Sequence, residues 1–168
     1  MAKTSRAAKG GEGTRATAVL AAAGISFTVH KYHHSADNTA YGLEAATELA
    51  IDPARVFKTL MVDLGGSVAV AVVPVSGTLN LKAIASVLGQ KKAVMADPTL
   101  ATRRSGYVLG GISPFGQRQS SPTVLDASAM DFSTILVSGG QRGIDIEVNP
   151  QDLLDFLGAV SADIRDHS

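Results

Sequence analysis

The stretch RVFKTLMVDLGGSVAVAVVPV, residues 55–75, limits what this chain can become more than any other. Two apolar strands flank Gly65-Gly66, and strands joined by a glycine pair close as an antiparallel hairpin. A chain holding such a hairpin must build a sheet and cover it. The composition supplies the cover: hydrophobic residues make up 45% of 168 residues, enough for an ordinary core and too many for wholesale disorder. At this length a single domain buries about 68–70% of the surface of its unfolded chain, so no metal or disulfide staple is required.

The remaining signals alternate between short strands and short helices. Thr14 is placed to cap an alanine-rich helix that ends near Gly24, followed by a strand over Ile25–Tyr32 and a helix over Tyr41–Ala50. LNLKAIASVLG reads as an amphipathic helix capped by Asn80 and stopped by Gly89. Asp52-Pro53, Asp97-Pro98 and Asn149-Pro150 share one start signal, a capping side chain before a proline whose missing N–H costs nothing at the first helical position. TVLDA, STILVSGG and GIDIEVN read as short strands. The expectation is a single compact domain of mixed α/β class over residues 14–168, with a mixed, largely antiparallel, barrel-like sheet surrounded by short helices. It lacks the regular rhythm of a doubly wound parallel sheet. Residues 1–13, with Lys3, Arg6, Lys9 and three glycines, are expected to form a mobile basic tail.

Several function classes fall away. There is no cysteine, which removes a disulfide framework, a thiolate metal site and a cysteine nucleophile. No apolar run approaches the ~18–20 residues of a membrane span, and the first twenty residues hold no apolar core of a secretory signal, so a cytoplasmic protein is expected. Fifteen Lys+Arg balance fifteen Asp+Glu, which argues against a general DNA or RNA coat binder. The phosphate loop, the dinucleotide fingerprint, the nucleophile elbow and the zincin helix are all missing.

What remains is sparse. Lys58 shares a strand face with Val56, Leu60 and Val62, so it either lies at an edge and discourages aggregation or waits at a polar cavity for a phosphate or oxyanion. GYVLGGISPFGQ sets Gly110-Gly111 at the exit of a strand. It is either an ordinary loop or a backbone cradle for a ligand. VSGGQRGIDIE carries Ser138, Gly139-Gly140, Arg142 and Asp145 and fits either a hairpin turn or a pocket wall. His30, Tyr32 and His34 point one way along a strand and His33 the other, with no carboxylate or thiol at a spacing that completes a metal site. Lys91-Lys92 and Arg103-Arg104 could touch phosphates, but each is also what a solvated surface normally shows.

Taken together and in order, His30-x-Tyr32-x-His34, VFKTLMV, KKAVMADP, GYVLGGISPFGQ and STILVSGGQRG resemble the YbaK/EbsC family, bacterial Cys-tRNA(Pro) deacylases related to the editing domain of prolyl-tRNA synthetases. The similarity runs from about Thr17 to Ile164. The resemblance implies a trans-editing hydrolase that removes cysteine from proline tRNA, with the aminoacyl-tRNA 3′ end as substrate, prolyl-tRNA synthetase as partner, and no metal or cofactor. It implies catalytic roles for Lys58, Gly110, Ser138 and Asp145. Substrate contacts are implied for Tyr32, Tyr41, Thr59, Gly111, Ile112 and Ser113. Tyr41 stands where relatives often carry phenylalanine. The implied chemistry is substrate-assisted: the cysteine thiol attacks its own ester carbonyl and leaves as a cyclic thiolactone. An Ala-tRNA(Pro) deacylase and a non-catalytic aminoacyl-tRNA adapter of the synthetase are the alternatives.

Overall fold

A computed structural model describes residues 13–167. The tail expected over residues 1–13 lies, except for Gly13, outside them. The hairpin forms as the sequence requires. Strands β2 (Phe57–Asp63) and β3 (Val68–Pro74) pair antiparallel in full register from Phe57↔Pro74 to Asp63↔Val68. Their turn is closed by Leu64 N–H on the Ser67 carbonyl at 2.8 Å, with the Asp63 carboxylate accepting from Gly65 N–H at 2.8 Å.

Every residue of β3 is buried, because both of its faces are covered. Val68, Val70 and Val72 enter the main core with Phe57, Phe115 and Ile146. Ala69, Ala71 and Val73 face a second cluster, in which helix α3 (Leu81–Val87) contributes Ile84 and the C-terminal segment contributes Ile164. The valine–alanine alternation thus assigns the bulkier side chains to the larger core and lets α3 approach the other face closely.

The sheet is divided in two. A five-stranded sheet has the order β4 (Val94–Met95), β2, β3, β5 (Thr123–Asp126), β8 (Val160–Ala162), antiparallel up to β3 and parallel beyond it. A three-stranded antiparallel sheet has the order β1 (Thr28–Lys31), β7 (Ile144–Val148), β6 (Ile135–Gln141). One bridge, Val56 to Leu136, joins them just before β2, inside a small cluster roofed by Ala45 and Ala46 of helix α2 (Tyr41–Leu49). Among the described residues four of the six strand pairings are antiparallel, so the mixed, largely antiparallel character holds. Among the described residues no closed barrel forms; the arrangement is two sheets joined by a bridge.

The start signals behave as their chemistry dictates. Asp97 and Asn149 cap helices α4 (Pro98–Ser105) and α5 (Pro150–Leu157), each with proline in the first turn, whereas Asp52-Pro53 opens only a 3-10 turn over Pro53–Arg55 before the chain enters β2. Three local expectations need correction. The first strand is confined to Thr28–Lys31, where β7 offers partners. Tyr107–Leu109 is not a strand: α4 ends on left-handed Gly106 (φ 80°), and the Tyr107 hydroxyl donates to the Phe115 carbonyl at 2.7 Å, folding the segment back as a loop. Two short strands, β4 and β8, have no local signature. Asp126, 1% exposed, accepts from Ile164 N–H at 3.0 Å across 38 residues and so helps fix the segment after β8.

Helix α1 (Arg15–Ala22) shows how a cap also serves the tertiary structure. Thr14 Oγ1 accepts from Thr17 N–H at 3.1 Å, Thr17 Oγ1 accepts from Thr14 N–H at 2.8 Å, and the Thr14 hydroxyl donates to the Gly139 carbonyl at 2.6 Å. The helix is thereby tied to the bulge between Ser138 and Gln141 of β6. Thr14→Ala removes both the cap and that tie. Loss of a cap costs about 0.5–2 kcal/mol, and urea unfolding should show a lowered midpoint with an unchanged slope.

Candidate active site

The alternation Ile144-Asp145-Ile146-Glu147-Val148 splits β7 into two faces. The isoleucines and Val148 enter the protein interior, and Asp145 and Glu147 point the other way. Glu147 is fully engaged there. It accepts from His30 Nε2 at 2.8 Å, from the Thr134 hydroxyl at 2.6 Å and from Arg55 at 2.6 Å. Burial alone would raise its pKa; the bonds from Thr134 and His30 and the charge of Arg55 outweigh that and hold it below the ordinary carboxylate range.

Asp145, two residues away on the same face, has none of this. It is 5% exposed, and burial without compensation pushes its carboxyl up to about 7. Its cross-strand partner on β6 is Ser138, so both side chains face the same space. Tyr32 lies beside them. Burial, and behind it the charge of Asp145, raises its hydroxyl to about 12, so it stays a neutral donor.

That space is a cavity of about 510 Å³ between the two sheets. Lys58 and Thr59 of β2 line it opposite Asp145 and Ser138, and Gly110 and Ile112 form a third wall. Lys58 stands across from Val73, on the face it shares with Leu60 and Val62 as the strand pattern requires, and burial lowers its pKa. No carboxylate of the described residues lies within ion-pair range of it. Thr59 Oγ1 is buried without a hydrogen-bond partner. The cavity therefore holds a cation and a buried carboxyl, neither with a partner among the described residues. Buried polar groups are normally satisfied, and a cluster of unsatisfied ones marks a place where a ligand completes the bonds.

Gly110 has φ 83°, a conformation that excludes most side chains, and a Cβ there would stand 2.7 Å from the ring of Tyr41. Tyr41 is the first residue of α2 and also lines the cavity. Two residues of the expected set lie elsewhere. Gly111 packs on the β6–β7 hairpin, where a Cβ would meet Arg142 N at 3.1 Å, and Ser113 is fully buried, its Oγ accepting from Phe115 N–H at 3.2 Å. Both shape the loop without lining the cavity.

The sequence reading missed the N-terminus of α2. Thr39, Ala40, Gly42 and Leu43 border the cavity, and no side chain among the described residues caps the helix. The readable signal was Ala40 standing where a helix normally carries a capping side chain. The histidines are engaged instead: His34 Nδ1 meets the Glu44 carboxylate at 2.7 Å, and His30 belongs to the Glu147 cluster. Among the described residues no three His, Cys, Asp or Glu converge as a metal site, and no helix is long and apolar enough to cross a membrane.

This fold and cavity define the class. An aminoacyl-tRNA editing domain model matches residues 37–156, which span α2, both sheets' central strands, the glycine loop and most of α5. The chain belongs to that family, the YbaK/EbsC aminoacyl-tRNA editing domains. It is 38% identical over 121 residues to EbsC of Enterococcus faecalis, for which Cys-tRNA(Pro)/Cys-tRNA(Cys) deacylase activity is proposed; the match covers 71% of this chain and 73% of that protein. Two crystal structures share the fold. A hypothetical protein superposes with a TM-score of 0.82 at 24% identity, over 91% of this chain and all of its own. A proposed trans-editing enzyme for prolyl-tRNA synthetase superposes with 0.80 at 22%, over 90% of this chain and 95% of its own.

The contrast between Asp145 and Glu147 has a measurable consequence. A carboxyl raised from 3.8 to about 7 binds its proton more tightly in the folded chain, so it destabilises the fold progressively as pH rises between those values. Asp145→Asn should match the parent near pH 4 and exceed it above pH 7 by on the order of 2–4 kcal/mol. Thermal melts across that range check both the sign and the window.

Proposed function

We propose that this editing domain deacylates Cys-tRNA(Pro) in trans. One observation carries the reading: the Lys58 cation and the Asp145 carboxyl, which burial raises to about 7, line the same cavity without a partner among the described residues. A ligand that fits must bring an anion and a cation of its own. An aminoacyl-tRNA 3′ end has both, a phosphate beside the terminal ribose and the α-ammonium of the amino acid.

In this reading Lys58 holds the terminal phosphate or sugar, Tyr32 and Tyr41 wall the amino acid, and the Gly110 amide faces the ester oxygen as charge develops on it. The lining contains no cysteine or histidine, and the Ser138 hydroxyl already accepts from Gly140 N–H at 3.1 Å. Among the described residues no side chain of the lining is paired with a base as an activated nucleophile, which favours the substrate thiol. Sulfur bonds to the carbonyl carbon, the carbon–oxygen ester bond breaks, and the tRNA hydroxyl departs with a proton. Asp145, titrating near 7, is suited to take the thiol proton and return it to the departing oxygen. The same property gives a second reading, in which Asp145 activates a water. The need for such an enzyme is physical: a synthetase pocket separates residues of similar size by only about 1–3 kcal/mol. A formal charge of zero fits a protein that relies on prolyl-tRNA synthetase to capture the tRNA.

Deacylation of a panel of charged tRNAs, with and without prolyl-tRNA synthetase, tests the proposal. Cys-tRNA(Pro) should be hydrolysed ahead of Ala-tRNA(Pro); binding with no turnover would instead mark an adapter. Lys58→Ala should lower the rate about ten- to a hundredfold, as expected for loss of a charged hydrogen bond worth about 1.5–3 kcal/mol, while the melting temperature holds. A folded, fully active variant would remove Lys58 from the site.

Serine in place of cysteine on the same tRNA separates the two mechanisms. A thiol ionises near pKa 8.5 and is far more nucleophilic than a hydroxyl. Substrate assistance predicts a much slower serine ester and a trapped thiolactone from the cysteine ester; equal rates with no cyclic product would identify water as the nucleophile.

A further inference from the structure

Arg142 lies outside the cavity, yet it touches two of its walls. It sits in the β6–β7 turn, its Nε donates to the Leu109 carbonyl at 2.7 Å, and its guanidinium lies over the Tyr41 ring, 4.7 Å from the centre. The Leu109 carbonyl belongs to a tight turn. Gly111 N–H donates to the Val108 carbonyl at 2.9 Å, and Gly110, at the third position, has φ 83°. That positive φ is the requirement of a type II turn. Types I and II differ by a flip of the central peptide, here Leu109–Gly110, so an outside contact on that peptide selects between them.

The peptide is trans, so its C=O and N–H point in opposite directions. With the carbonyl held by Arg142, the N–H of Gly110, a residue that lines the cavity, is directed away from Arg142. No acceptor among the described residues takes that N–H. The seat of the guanidinium over Tyr41, together with the bond to Leu109, restrains the direction of Nε. A Gly110 side chain would strike the same ring, so turn, ring and guanidinium form one packed unit.

We infer that Arg142 is a positioning residue of the editing site: by gripping the Leu109 carbonyl and stacking on Tyr41 it sets the Leu109–Gly110 peptide so that the Gly110 amide is presented to the reacting ester. The inference rests on the role given to Gly110 under the proposed function. A lysine would keep the charge but neither stack as a plane nor aim a fixed Nε donor.

Arg142→Ala and Arg142→Lys test this in the full chain. Losing one oxyanion donor outright costs about 10²–10³ in kcat, and a misdirected donor should forfeit part of that, roughly ten- to a hundredfold, with KM within about twofold. The lysine variant should resemble the alanine variant, and added guanidinium ion, far below denaturing concentration, should restore part of kcat to Arg142→Ala. The Gly110 amide resonance should shift in both variants while the melting temperature stays near the parent's. Full kcat in Arg142→Ala, full rescue by lysine, or parallel loss of kcat, KM and melting temperature without guanidinium rescue would overturn the assignment. If the parent protein deacylates no charged tRNA, the functional reading fails, and an unmoved Gly110 amide in Arg142→Ala would separately overturn the positioning role.

Discussion

Burial of β3 on both faces is the constraint on which the rest depends. A strand with no solvent face must have a sheet around it and a layer on each side, and this one recruits the main core on its valine face and α3 on its alanine face. Its full register with β2 then leaves no freedom for Lys58, which is fixed opposite Val73. A one-residue slip would turn Lys58 to the other face and Thr59 into its place. The cation of the site is therefore positioned by its pairing with a strand that is buried on both faces.

The site is built at the junction of two sheets. The Val56–Leu136 bridge brings the start of β2 against β6, and α2 roofs the junction. One sheet supplies Lys58 and Thr59, the other supplies Tyr32, Ser138 and Asp145, and the glycine loop closes a third side. A cation and a titratable carboxyl that face one cavity without touching each other leave both available to a ligand. Had they met as a buried ion pair, each would have satisfied the other and the cavity would have lost its complementarity to a charged ester end.

Much of this was legible locally. Thr14, Asn80, Asp97 and Asn149 cap helices because their side chains reach a backbone N–H two or three residues on, an interaction set within one turn. Lys58 stood out because an alternating strand left it on an apolar face. Gly110 stood out through its neighbours, and its positive φ and contact with Tyr41 explain why glycine is needed there. The misread parts are non-local. β4 and β8 are short and exist because a neighbouring strand offers an edge, and Tyr107–Leu109 loses its strand character because Tyr107 finds Phe115. Gly111 and Ser113 carry the motif as clearly as Gly110 does, but the turn sends one toward the hairpin and the other into the core.

The sequence by itself determined the hairpin, the helix starts, the strand alternation and the absence of a cysteine nucleophile, since each follows from side-chain chemistry within a few residues. Only the tertiary structure decided what the two carboxylates of β7 became. Asp145 and Glu147 share a face by the same alternation and look equivalent in GIDIEV. Arg55, His30 and Thr134 arrive beside Glu147 from three distant segments and hold it ionised. Among the described residues no such partner reaches Asp145, which lines the cavity beside Tyr32 and is left to titrate near neutrality. Which of two identical functional groups is satisfied and which is held ready depends on partners far away in the chain, and that is fixed only when the sheets close on each other.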